Sequence, residues 1–287
     1  LSNSDSFTRI SANLFQNNTL SWNEVGSIRL IAAVGDGDYL GTGNVSSTAS
    51  STVGRFYPES FFLGAADVNN SCTHFTYLSQ PELGIAYTLN AINSAGDTVS
   101  NYDDGLGYPV GSIIYAAELD NNGIDLASRL SVATTNWQAG EYNLIDTVAE
   151  LARGTSLEAP LLNVLLGITV DDIDDRTLNN LTMNASSSAD CDITGSCNAG
   201  ELGSASFYYG RVSLADAYGP ETAALPVVFH TEYWTGQKFI THILDDCSVL
   251  SRSSISFNGN PIDSASDLSI NLVGGITTGE FTSLSSS

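Results

Sequence analysis

The sequence predicts an all-β chain of tandem immunoglobulin-like antiparallel β-sandwiches, and three observations predict it. Apolar and polar residues alternate with a period of two, apolar segments are short and bounded by polar, glycine-bearing turns, and the three-four spacing of an amphipathic helix is scarce. In chain order, Ser27 to Val34 reads as a strand, the tract Gly35-Asp36-Gly37-Asp38 as a turn, and Tyr39-Leu40-Gly41 as the return of a hairpin. Ser46 to Val53 is almost pure Ser, Thr and Ala, and suits a linker or a polar strand equally. Gly84 to Ala91 places Ile85, Tyr87 and Leu89 on one face, and Asn93 to Asp97 turns the chain into a strand at Thr98 to Tyr102. Ser112 to Leu119 follows, closed by the turn Asp120-Asn121-Asn122-Gly123. Asn143 to Arg153 is the one stretch that suits a helix, yet Tyr142, Leu144 and Val148 also alternate, which suits a strand at least as well. Asn184 to Gly203 reads as a long ordered loop. Later strands are Ser206 to Leu214, Pro226 to Tyr233, Lys238 to Ile243, Ser253 to Phe257 and Leu268 to Leu272.

Charge removes whole classes of partner. The 287 residues carry 9 Lys and Arg against 32 Asp and Glu, a formal net charge of −23, so a phosphate backbone or an anionic membrane surface is repelled. Charged residues are only 14% of the chain, against ~25% in an average soluble protein. Hydrophobic residues still make up 42%, so the deficit is filled by Ser, Thr, Asn and Gly around an ordinary core and not by disordered sequence. The longest apolar run, Leu161 to Val170, is interrupted by Asn163 and Gly167 and falls short of the ~18 to 20 residues of a transmembrane helix.

Four cysteines, a single lysine (Lys238) and a single methionine (Met183) suit a secreted chain in an oxidising compartment. Cys191 and Cys197 flank a five-residue loop and can close a small ring, which leaves Cys72 and Cys247 as the other pair or as free thiols. Four cysteines allow three connectivities, and sequence does not choose among them. The paired short spacings of a zinc site are missing. Five Asn-x-Ser/Thr sequons arise at the rate expected of so Asn- and Ser-rich a sequence. The chain opens at Leu1 without a signal peptide, as a mature or excised segment would.

Several blocks carry a family resemblance. Trp22 to Leu30, Asp38 to Gly41, Val53 to Phe61, Cys72 to Pro81, Ala91 to Tyr102, Tyr209 to Glu221, Glu232 to Phe239 and Asp245-Asp246-Cys247 resemble, in that order, blocks of the bacterial MshQ-type proteins. Those are large proteins encoded with the genes of mannose-sensitive haemagglutinin (MSHA) type IV pili. Cys191 to Gly203 has no counterpart. The resemblance implies an extracellular, pilus-associated, β-rich protein whose partners are other pilus or cell-surface proteins, and it brings no catalytic residues. The Gly-Arg-Phe-Tyr-Pro and Tyr-Gly-Arg-Val blocks resemble starts of successive units. They suggest an N-terminal β segment at 1–55, a central sandwich at 56–203 and a C-terminal sandwich at 204–287.

Candidate chemistry is sparse. His74, His230 and His242 lack the H-E-x-x-H spacing and read as packed or surface side chains, and no G-x-S-x-G elbow exists. Gly35 to Gly41 has its third glycine one place too far for a dinucleotide loop. Calcium has the better case. Asp120, Asn122 and Asp125 put oxygens at near-alternate positions around a glycine turn, and Asp171, Asp172, Asp174 and Asp175 stack four carboxylates; the competing expectation is an Asx turn and a solvated acidic loop. Trp137, Tyr233 and Trp234 would stack on sugar rings if exposed, although sandwiches more often bury such rings. Two functions of different class follow: a non-enzymatic extracellular structural or adhesion module beside a pilus, and a calcium-dependent carbohydrate-binding module that meets surface glycans. An enzyme on carbohydrate comes third, since 32 acids always offer carboxylate pairs and abundance is no evidence.

Overall fold

The computed structural model describes residues 1, 4, 6–119, 124–185, 197–220, 225–251, 256–257, 260–261, 269–271 and 275–281. It is an all-β protein built mainly of antiparallel strand pairs, as the patterning predicts. β1 (Thr8–Ser11) and β2 (Leu14–Gln16) form a small exposed hairpin. β3 (Gly26–Ile28) pairs with β4 (Val53–Phe56). Between them the predicted Ser27 to Val34 hairpin is reduced to isolated backbone bonds such as Ser47 N to Ala32 O and Ser50 N to Leu30 O. Few apolar side chains there find a core to lie on, so a regular ladder has nothing to anchor it.

The main body is a sandwich. One sheet runs in the order β10, β11, β7, β5 and the other β6, β13, β12, β8, β9. Its strands are β5 (Ser60–Asn69), β6 (Thr76–Tyr77), β7 (Leu83–Ile92), β8 (Ser112–Leu119), β9 (Ile124–Asp125), β10 (Leu130–Val132), β11 (Glu141–Leu151), β12 (Leu161–Asp171) and β13 (Gly200–Tyr208). β7 alternates between buried and half-buried residues along its whole length, with Leu83, Ile85, Tyr87, Leu89 and Ala91 inward. The stretch that suited helix or strand, Asn143 to Arg153, is strand β11 and pairs with β7. Phe61, Tyr102 and Trp137 meet at the centre with ring centroids 4.9–5.5 Å apart. The N-terminal segment is clamped to this body. Val25 is buried in its core, and the Glu24 carboxylate accepts from the amides of Ser100 and Asn101.

β12 sits between β13 and β8 at the middle of its sheet, which explains its unbroken apolar run. The two residues that interrupt the run are bulge positions. Asn163 has a φ of 57° at the first register shift against β13, and at Gly167, the second, an added Cβ would meet the Met183 sulfur at 2.6 Å. Thr98 to Tyr102, predicted as a strand, is instead a tight return with one bridge from Thr98 to Ile92; it buries Val99 and Tyr102 into the core.

The second unit is a four-stranded sheet. β14 (Gly210–Leu214), β15 (Leu225–Trp234) and β16 (Phe239–Thr241) lie side by side. β17 (Val249–Ser251), β18 (Ser256–Phe257), β19 (Asn260–Pro261) and β20 (Ser269–Asn271) are short pairs beyond it, and β21 (Ile276–Phe281) joins the sheet along β15. Ser206 to Leu214 is therefore not one strand. The chain leaves the first sandwich at Tyr209 and enters the second sheet at Gly210, where a Cβ would sit 2.3 Å from the Tyr77 ring. Residue 203, where a boundary was expected, lies inside β13. Gly203 has a φ of 149° and faces Val68 across the sandwich, so what reads as punctuation is a strand position that any residue with a Cβ would strain.

Candidate functional site

The richest concentration of chemistry lies where the two units meet. β6, the loop before it, and the end of β13 supply Phe75, Tyr77 and Tyr208 from the first sandwich; β15 and the turn after β16 supply Tyr233, His242 and Asp245 from the second. Alternation puts Phe75 and Tyr77 on the same side of β6, with their rings 4.9 Å apart. The His242 imidazole is only 1% exposed and packs against the rings of Phe75 at 4.1 Å, Tyr208 at 4.6 Å, Tyr233 at 4.7 Å and Tyr77 at 5.4 Å.

A polar chain runs through this aromatic box. The Tyr77 hydroxyl donates to Asp245 Oδ2 at 2.9 Å and lies 2.8 Å from His242 Nδ1. Since the phenol has one proton and a carboxylate has none, the imidazole is assigned its proton on Nδ1, donating to the Tyr77 oxygen. His242 Nε2 then faces a buried space with a bare lone pair, which costs less than an unpaired N–H, and no hydrogen-bond partner reaches it. Burial holds His242 neutral, lowering its pKa to about 4 even though Asp245 pulls the other way. Burial alone would raise Asp245, but the amide of Ser248 and further donors including Tyr77 outweigh it, and its pKa lies below the usual carboxylate value. Burial, reinforced by the charge of Asp245, pushes the Tyr77 phenol well up.

Beside the box, Cys72 and Cys247 form a disulfide between the units, and Thr73 donates from its amide and its hydroxyl to the Asp246 carboxylate. The sequence left Cys72–Cys247 open against free thiols; the fold brings their Cα atoms to 5.1 Å. Cys197 is also disulfide-bonded, and Cys191 lies outside the described residues. A cleft of about 570 Å³ opens on the same junction, lined among others by Tyr77, Gln80, Glu82, Arg153, Arg211 and Ser248. Arg153 is held there by the carbonyls of Leu78 and Gly210 and lies 4.4 Å over the Tyr209 ring.

The other candidate residues are scattered. Trp137 is 2% exposed, its indole donates to the Gly111 carbonyl, and Phe61, Tyr102 and Tyr142 pack around its ring; no face remains for a sugar, and it is a core residue. Tyr233 is half-buried against Tyr208 and His242, and Trp234 is half-buried against Phe239. Asp120 and Asn122 lie outside the described residues, and Asp125 is exposed and caps the amide of Ala127. The acidic loop is neither bare nor uniform. Asp172 is buried and accepts from the Tyr102 hydroxyl at 2.8 Å, Asp174 pairs with Arg55 at 2.9 Å, and Asp171 and Asp175 are exposed. Among the described residues, one group of three potential ligand atoms falls within 4.8 Å, Cys72, Asp246 and Cys247, and its two sulfurs are joined to each other instead of being offered as thiolates. Sequence singled out neither Tyr77 nor Asp245, and gave His242 no partner. The available signal was indirect: Tyr77 follows Cys72 by five residues and Asp245 precedes Cys247 by two, so the cysteine pair brings them together.

No helix among the described residues is long and apolar enough to cross a membrane. Two family models match the chain, that of DUF6701, third domain, over residues 24–198 and that of DUF6701, fourth domain, over residues 208–285. The second match begins at Tyr208, two residues before Gly210, where the chain enters the second sheet. No curated protein and no solved structure matches.

Proposed function

The chain belongs to the DUF6701 family, and from that premise we propose that it is a non-enzymatic structural and adhesion module of an extracellular, pilus-associated bacterial surface protein. The observation that carries this reading is the junction: two β-units are bonded to each other covalently through Cys72–Cys247 and by a buried Tyr-His-Asp chain, as suits a rigid spacer in an oxidising compartment. The resemblance to MshQ-type proteins supports the pilus setting. Among the described residues, the Tyr77-His242-Asp245 constellation is sealed, with His242 and Asp245 1% and 0% exposed behind aromatic rings, which favours a packing role over turnover. The −23 charge keeps such a surface soluble and away from nucleic acid.

Labelling of intact cells with antibody to the chain, alongside purified pili, tests the setting. Signal on unpermeabilised cells that is shed by external protease supports it, and signal confined to lysed cells defeats it. A glycan array with and without chelator separates the adhesive module from a calcium-dependent sugar binder: chelator-sensitive binding to defined glycans would replace the first reading with the second.

A further inference from the structure

The covalent map of the chain decides where tension can travel. Cys72 lies between β5 and β6, and Cys247 follows β16 at a sequence separation of 175 residues. Strands β6 to β16 are therefore all enclosed by the cross-link: most of the first sandwich, the entry into the second sheet, and the aromatic box. The segment leading into Cys72 is β5, ten residues already at strand spacing.

We propose that Cys72–Cys247 is a tension bypass, carrying a pull along the chain from β5 through the disulfide into residue 248 and onward, so that the chain between the cysteines adds no length under load. This rests on the reading of the chain as a surface structural module that is pulled upon. A covalent bond in parallel with a folded body takes the force along the chain, and the loaded ends touch the shielded segment sideways, through the ladders of β5 with β7 and of β21 with β15. β5 gains almost no length when drawn along its own axis, so it need not leave its pairing with β7. The consequence is local. Most of the junction cleft, Tyr77 to Glu82, Arg153 and Gly210 to Val212, lies inside the shielded segment, and only Ser248 and Val249 on its rim lie on the loaded side. That part of the cleft stays off the loaded path while the N-terminal strands β1 to β4 lengthen, and β21, beyond Cys247, is held to the shielded segment by its pairing with β15. The Thr73–Asp246 bonds flank the disulfide and hold the same two loops together.

Single-molecule stretching of the full chain, held at its two ends, tests this against a C72S/C247S double variant. Below the force that ruptures a disulfide, the oxidised chain is expected to lengthen by at most about 40 nm, from the roughly 110 residues outside the cross-link at ~3.5 Å each. The variant is expected to gain about 60 nm more, from the 175 residues released. A wild-type extension near 100 nm, or a variant that stops at the wild-type length, overturns the proposal. If the variant does not fold, the wild-type limit still decides. Absence of the chain from the cell surface would defeat the proposed function and leave this length limit standing, and a failed limit would leave surface placement untouched.

Discussion

The two units bury their residues in different ways. The first sandwich closes on itself: Phe61, Leu89, Tyr102, Trp137, Leu166 and Phe207 belong to one continuous core drawn from both of its sheets. In the second unit, the described residues that are fully buried include Val227, Phe229, Thr231, His242 and Asp245, and the last two are covered by Phe75, Tyr77 and Tyr208 of the first. A four-stranded sheet with such a core borrows order from what it docks against. The first unit should therefore survive loss of the junction, and the second should not.

Trp137→Ala attacks the self-sufficient unit. It removes a buried ring and leaves the Gly111 carbonyl without its donor, so a loss of about 4 kcal/mol is expected, read by urea unfolding. Both units should melt together in this variant; a second unit that outlives the first would refute the dependence just described. The C72S/C247S double variant attacks the junction and should cost about 3 kcal/mol, because the bond removes chain entropy from the unfolded state. Hydrogen exchange should then show β15 and β16 opening before β7 and β12, and simultaneous opening would count against a two-tier stability.

Acid provides a milder probe of the same contact. The unfolded chain takes up a proton at the ordinary histidine value of 6.5, the folded His242 only at about 4, so between these values the unfolded state binds more protons. Stability is therefore full above pH 6.5, falls as pH drops, and stops falling from this source below about 4. The loss should be of order 2 kcal/mol, at ~1.36 kcal/mol per pKa unit with allowance for relaxation around the charged ring. Asp245, whose pKa is depressed, acts in a separate window: its contribution is present above the ordinary carboxyl value and is lost only in stronger acid. His242→Phe keeps the aromatic packing and should flatten the melting temperature between pH 6.5 and 4; an unchanged pH profile would move the effect elsewhere.

Glu158→Gln weakens the forked bond to Arg129, whose two nitrogens reach the carboxylate at 3.0 and 2.6 Å on the first sandwich. With both side chains about one-fifth exposed, the cost should be about 0.5–1 kcal/mol by thermal melting. Calcium should do least. Asp172 and Asp174 already hold a tyrosine hydroxyl and an arginine, so melts in millimolar calcium, magnesium and chelator at fixed ionic strength should nearly coincide. A rise of several degrees in calcium alone would assign an ion to the acidic loops after all.

How much of this was legible depends on which distances a pattern can see. β7 stands out because one of its faces is buried and the other only half-buried, so the pleat prints itself on the sequence. β12 lies mid-sheet and reads as an apolar run with two flaws, and those flaws are its bulges at Asn163 and Gly167. β13 and β14 fuse in the sequence because Gly210 turns the chain without any polar turn around it; the Tyr77 ring, far away in sequence, is what demands the glycine. The candidate site was least legible of all, since Tyr77 and His242 lie 165 residues apart.

Composition and alternation by themselves determined an all-β, strongly acidic, cysteine-bearing chain, because side-chain period and charge are local properties that each residue carries into any fold. Partner choice belonged to packing: that Trp137 is core and not a sugar platform, that Cys72 meets Cys247, and that His242 is neutral in an aromatic box between two units. Such contacts form between segments that are separate in the sequence, and their energy comes from excluding water and from low dielectric, neither of which exists until both surfaces have come together.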